Sequence, residues 1–253
     1  MFETPNRQIV IIAGVTLLAM IIGTIVRLVA TRTVSSDDAR KHRQSLLSWW
    51  LVVVAVLLTA VVGRAMGVLL FLTISFLSLR EFQELMRDSA SVSSKTIGSR
   101  KIAWALLAVS YLFILLNLPS AFIAFLPVAA LITFGATYLL TRSPEGFTAQ
   151  VPVISWMVLL TGYAPAFAVL LFTLPDAMNE RAASAGWFLL LVLLTEANDI
   201  TQALFGRWLG KRKLAPQVSP NKSWAGFVGG GCTTVMLAVI LSHWLSPWHP
   251  LTA

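Results

Sequence analysis

Residues 9 to 30 read IVIIAGVTLLAMIIGTIVRLVA, and no charged side chain interrupts them before Arg27. At a rise of about 1.5 Å per residue, roughly 20 apolar residues in a helix cover the hydrocarbon core of a bilayer. The run is longer than a secretory h-region and passes Arg27 without a small-residue cleavage site, so it reads as a retained transmembrane helix. The same pattern recurs along the chain, in runs at about 46–62, 65–79, 102–116, 120–140, 151–174, 185–205 and 224–245. With 57% hydrophobic and only 12% charged residues over 253 positions, these runs cannot be the core of a soluble domain. The expected fold class is all-α, a polytopic transmembrane helical bundle of about eight spans. It forms a single integral membrane domain, in which 1–184 supply the N-terminal spans and 185–253 a motif-bearing core.

Local signals set the breaks. The second and third spans are short and meet at Gly63-Arg64, which predicts a tight hairpin, and the fourth closes at Asn117-Leu118-Pro119. Pro127, Pro152 and Pro165 fall in or at the start of spans, where neighbouring helices satisfy the freed carbonyls. No internal repeat is evident, which argues against an inverted-repeat transporter.

The charges orient the chain. Lys and Arg number 19 against 11 acids, a net charge of +8. With eight spans, sixteen of the basic residues fall on one side and three, Arg7, Arg64 and Arg181, on the other. Basic residues in short loops collect on the cytoplasmic side, so both termini are expected outside and the loop after the seventh span inside. The expected location is a membrane, with the bacterial inner membrane as the reading. Because the charge is spread over juxtamembrane loops, attraction to anionic lipid at roughly 1 kcal/mol per residue accounts for most of it. A nucleic-acid partner is not expected. Cys232 is the only cysteine, which excludes an intrachain disulfide and a cysteine metal cage and leaves the redox compartment open.

Chemistry concentrates between Glu196 and Gly231. Glu196 and Asp199 lie three apart on the seventh span, hence on one helical face, with Thr195, Asn198 and Gln202 nearby. If that span ends near 205, Asp199 sits roughly 9 Å below the cytoplasmic end. An acid at that depth costs on the order of a few kcal/mol, so it faces an aqueous cavity or a partner such as Arg27 or Arg207. The following loop holds Arg207, Lys211, Arg212, Lys213 and Lys222, and Pro216 and Pro220 restrict its backbone. Ser219, Asn221 and Ser223 add hydroxyl and amide groups, and Ser223 is also an expected N-cap of the eighth span. Gly226, Gly229, Gly230 and Gly231 suit either helix packing or close approach of a ligand.

Asp199, the segment GRWLGKRKLAP at 206–216, and SPNKSWAG at 219–226 followed by Gly229-Gly230 together resemble the core of phosphatidate cytidylyltransferases, the CDP-diglyceride synthases. The resemblance covers about the last quarter of the chain. It implies conversion of CTP and phosphatidate, drawn from membrane lipid, to CDP-diacylglycerol and pyrophosphate with Mg2+. It further implies that Asp199, with Glu196, holds metal, that Asp199 and Lys222 are catalytic, and that Arg207, Lys211, Lys213, Ser219, Asn221 and Ser223 bind substrate. A homodimer is compatible with it. Two departures stand out: Ala225 replaces the family's usual Glu, and the family's later Lys-Asp, His-Gly-Gly and Asp-Arg segment has no counterpart before Ala253. His243 and His249 lack acidic neighbours in the sequence. The resemblance therefore leaves open a C-terminally truncated enzyme, a fragment, or a silent membrane protein that binds lipid or partners. A CTP-dependent polyprenol or phytol kinase and an ion-coupled transporter are the remaining alternatives. Trp49, Trp50, Trp187 and Trp224 read as an interfacial aromatic belt, with stacking of Trp224 on cytosine as the minor alternative.

Overall fold

The computed structural model describes residues 7–30, 36–87, 97–141 and 146–247. Arg32, Lys95, Arg142 and His249 lie outside the described residues, as do the side chains of Arg27 and Arg40. The chain is helical apart from one two-stranded hairpin. Its elements are α1 (Arg7–Ala30), α2 (Ser36–Val62), α3 (Arg64–Arg87), α4 (Ile97–Leu115), α5 (Pro119–Thr141), α6 (Phe147–Val158), α7 (Ala164–Leu170), α8 (Ala183–Leu209) and α9 (Trp224–Leu245). The hairpin strands β1 (Lys213–Ala215) and β2 (Ser219–Ser223) separate α8 from α9. Among the described residues, seven helical segments are long and apolar enough to cross a membrane, and a shorter apolar helix spans Lys101–Leu115. These eight coincide with the eight runs in the sequence. The protein is a polytopic transmembrane helical protein.

Helix ends differ from the apolar runs where charge begins. α2 starts at Ser36, ten residues before its apolar stretch, and α3 continues through Phe82 to Arg87. A helix satisfies its own backbone, so leaving the hydrocarbon does not end it. The α3 extension also carries an Arg80 Nε to Glu84 Oε1 pair at 3.0 Å, one turn apart. Gly63 alone separates α2 from α3, with φ at 83°, a conformation open to glycine and costly for other residues. At the end of α4, Asn117 adopts φ 60° while Leu118 N donates to Phe113 O and Asn117 N to Ile114 O. That is a Schellman closure, and Pro119 then opens α5.

The chain divides into two compact units. One, Val62–Thr173, comprises α3 to α7. Its interior holds a hydrogen bond of 2.9 Å between Ser75 Oγ and Tyr111 OH, and Phe122, Tyr163 and Phe167 form a ring cluster. A π-helical turn, Leu159–Tyr163, joins α6 to α7 just ahead of Pro165, whose missing N–H interrupts regular α-bonding there.

The other unit, Met1–Val61 with Leu174–Ala253, carries α1, most of α2, and the α8-hairpin-α9 assembly. Trp50 Nε1 donates to Thr24 Oγ1 at 3.0 Å and ties α2 to α1. α8 and α9 run antiparallel along their full length. Gly226 faces Gly206 near the hairpin, and Gly230 faces Asn198 in mid-helix. At the far end Gly186 abuts the carbonyl of Leu245. Asn179, fully buried, locks that end by donating from Nδ2 to Leu245 O at 2.8 Å and to Ala183 O at 2.9 Å.

Candidate functional site

The small residues of α9 are what bring the site together. A Cβ on Gly226 would lie 2.6 Å from Gln202 O, one on Gly229 would strike the Phe205 ring, and one on Gly230 would strike Gln202 Cγ. Three glycines on one face therefore let the α9 backbone rest directly on α8, the use that small residues have at membrane helix interfaces. Of the two readings the glycines admitted, Gly226, Gly229 and Gly230 follow the packing one, while Gly231 faces open space. Thr234 Oγ1 donates to Asn198 Oδ1 at 3.2 Å, which fixes the amide of Asn198 within the same contact.

Close packing leaves a short connection, and its sequence folds it back. Val218 N donates to Ala215 O at 3.2 Å, closing a four-residue turn in which Pro216 occupies the second position that its fixed φ favours. β1 and β2 then pair antiparallel, Ala215 opposite Ser219 and Lys213 opposite Ser223, with an irregularity between them. Pro220 cannot donate to a ladder and falls within that irregular stretch. The basic loop is thus a β-hairpin, more ordered than the shaped loop inferred from the prolines. Ser223 ends β2 and caps α9, its Oγ accepting from Gly226 N at 3.2 Å.

The hairpin carries Lys222 back over α8 until Nζ stands 3.7 Å from Asp199 Oδ1. Asp199 therefore has a cationic partner, and it is Lys222 rather than Arg207. Both side chains lie on the protein surface, 80% exposed for Asp199 and 51% for Lys222, and the pair opens onto a basic cleft. An exposed pair at that separation contributes less than about 1 kcal/mol, so it is no structural staple and an anionic ligand can take the lysine. α8 also runs one turn further than the apolar run, to Leu209, because Arg207 and Trp208 continue it. Asp199 accordingly lies roughly 15 Å from the helix end rather than 9 Å. The hairpin covers that depth.

Beside the pair is a cleft of about 460 Å3 to which Arg207, Lys213, Asn221, Lys222 and Ser223 contribute. Five of the eight expected substrate and catalytic positions converge there from α8, β1 and β2. Three cations in one opening raise the local concentration of anions. Ser223 is buried and its hydroxyl is engaged by the cap, so what it offers the cleft is mainly a fixed wall. Asp199, Lys211, Ser219 and Glu196 do not line the cleft; Asp199 meets it only through Lys222, Lys211 is exposed at the start of the hairpin, and Glu196 lies half-buried on α8 one turn before Asp199. Phe227, which no sequence signal marks, supplies the ring at the cleft, and Trp224 does not line it. Gln202, one turn beyond Asn198, was visible as part of the polar face and lines the cleft as well.

The donor set limits how metal could be held. Among the described residues, no group of three His, Cys, Asp or Glu side chains is close enough to cage a cation. One exposed carboxylate beside a basic opening fits magnesium only as an ion shared with substrate phosphates and water, a mode this cation commonly adopts.

The model of the cytidylyltransferase family matches residues 43–252, most of the chain and all of this site. The chain belongs to the cytidylyltransferase family. Within it, the chain is 33% identical over 206 residues to the uncharacterized protein YnbB of Escherichia coli, covering 81% of this chain and 65% of that protein. It is 52% identical over 60 residues to a phosphatidate cytidylyltransferase of Haemophilus influenzae, 23% of this chain and 21% of that one. Against human phosphatidate cytidylyltransferase 1 the identity is 40% over 63 residues, 25% of this chain and 13% of that one. The chain thus spans less than two thirds of the length of these relatives. No solved structure matches it.

Proposed function

We propose that this family member transfers a cytidylyl group from CTP to phosphatidate, yielding CDP-diacylglycerol and pyrophosphate for phospholipid synthesis. The observation that carries the reading is the Asp199–Lys222 pair at the rim of a cleft lined by Arg207, Lys213 and Asn221. In the reaction a phosphate oxygen of the lipid attacks the α-phosphorus of CTP, and the bond from that phosphorus to the bridging oxygen of the β-phosphate breaks. Both reactants are anionic, so the protein's task is to hold them in line and offset their repulsion. Arg207 and Lys213 bind triphosphate oxygens, and Lys222 turns from Asp199 to the phosphatidate head group and sets its oxygen toward the α-phosphorus. Asn221 positions a phosphate or a base edge. Asp199 would hold magnesium through the ion's water shell, and the ion would supply further neutralisation of the phosphate charge. The cleft faces the cytoplasm, where CTP is found, with both chain termini on the opposite side of a bacterial inner membrane.

The test is conversion of radiolabelled CTP and phosphatidate in membranes carrying the full chain. CDP-diacylglycerol as labelled product supports the reading. Labelled CDP with a phosphorylated isoprenoid alcohol, when one is supplied, identifies a CTP-dependent lipid kinase. Absence of both products, with nucleotide and lipid still bound, identifies a non-catalytic binder.

A further inference from the structure

Next to the basic cleft, on the same two helices, lies a second and different opening. It is a groove of about 640 Å3 running along α8 and α9, to which Asn198, Gln202, Phe227, Gly231, Cys232 and Met236 contribute. Gln202 and Phe227 line both openings, so the groove begins where the cleft ends. From Phe227 to Met236 the α9 residues in it recur as adjacent pairs every four positions, with Val228 and Val235 completing the pairs, forming one band roughly 13 Å long. That band lies within a segment apolar enough to cross a membrane. Its width comes from small side chains: a Cβ on Gly231 would meet nothing within 4 Å, unlike one on Gly230 beside it. The one polar group on its α8 wall that makes a described side-chain bond, Asn198 Oδ1, already accepts from Thr234 Oγ1.

A cationic opening that leads directly into an apolar trough matches an anionic amphiphile. We infer that the groove seats an acyl chain of a phospholipid whose phosphate lies in the cleft, and that Gly231 and Cys232 set the room for that chain. The inference rests on the reading of the cleft as a lipid-phosphate site. The surrounding bilayer is as apolar as the groove, so seating the chain gains little hydrophobic free energy. The groove therefore aligns the lipid, and the cations hold it.

Cys232, the chain's single cysteine and an exposed one, reports on the groove without any substitution. The experiment is the rate of its alkylation by N-ethylmaleimide in the full chain, in phosphatidylcholine nanodiscs with and without dioleoyl phosphatidate. Phosphatidate should slow the reaction roughly fivefold when present at several times its dissociation constant. Glycerol 3-phosphate and CTP, which carry no acyl chain, should leave the rate unchanged, and K222A should lose the protection. Equal rates with and without phosphatidate overturn the inference. So does protection by glycerol 3-phosphate alone, or protection that survives K222A. Because alkylation is read rather than turnover, protection by phosphatidate stands even if no CDP-diacylglycerol is made. Turnover without protection would retain the proposed activity and reject the groove.

Discussion

Asp199 and Lys222 come from segments separated by a helix end and a hairpin, yet they meet at 3.7 Å in an exposed setting where their attraction is weak. A weak pair at a cleft is suited to exchange partners, and this gives opposite expectations for folding and for chemistry. D199N should leave thermal stability within about 0.5 kcal/mol, since exposed substitutions seldom exceed that. The same variant should lower cytidylyl transfer by roughly a hundredfold or more, the loss typical when a preorganised charge at the reacting centre is removed. The check is the radiolabelled CTP assay beside a thermal melt, and unchanged turnover would remove Asp199 from the site. For K222M the expectation is a rise of about tenfold in KM for an anionic substrate, measured by varying CTP and phosphatidate in turn. Ser223 behaves in the reverse manner. Its hydroxyl caps α9 from a buried position, so S223A should cost about 1 kcal/mol of stability in a denaturation curve.

Between elements, the decisive contact is α8 against α9. Gly226, Gly229 and Gly230 permit it, and the neighbouring Gly231 takes no part. G230L should therefore destabilise the protein by about 1 to 3 kcal/mol through overpacking, while G231L should leave denaturant or detergent unfolding almost unchanged. Equal destabilisation by the two substitutions would show that the helix face has been misassigned. The hairpin is the second essential element. Its turn at Ala215–Val218 and its irregular pairing around Pro220 fold the basic residues back against α8, bringing Lys222 to Asp199.

Across the whole molecule, an even number of spans predicts both ends of the chain on one side of the membrane and the hairpin on the other. Reporter fusions at each terminus and at Gln217 should give one sign at both ends and the opposite sign in the hairpin; unlike signs at the two ends would mean a span is miscounted. Much of this was legible in the chain itself, because apolar length is a local property. Each run from 9–30 to 224–245 reappears as a helix, and Asn117, Pro119 and Gly63 mark breaks through constraints on φ that act within a few residues. The charged extensions of α2 and α3 were not legible from hydropathy, since a helix outside the hydrocarbon still satisfies its own backbone. At the site, the sequence alone supplied the residue types and their family spacing, from Asp199 to Lys222. Only the tertiary structure decided that Lys222 rather than Arg207 meets Asp199, that Asp199, Lys211, Ser219 and Glu196 do not line the cleft, and that Phe227 does. Those outcomes depend on how closely two helices approach and on the register of a hairpin, both set by side chains far apart in sequence.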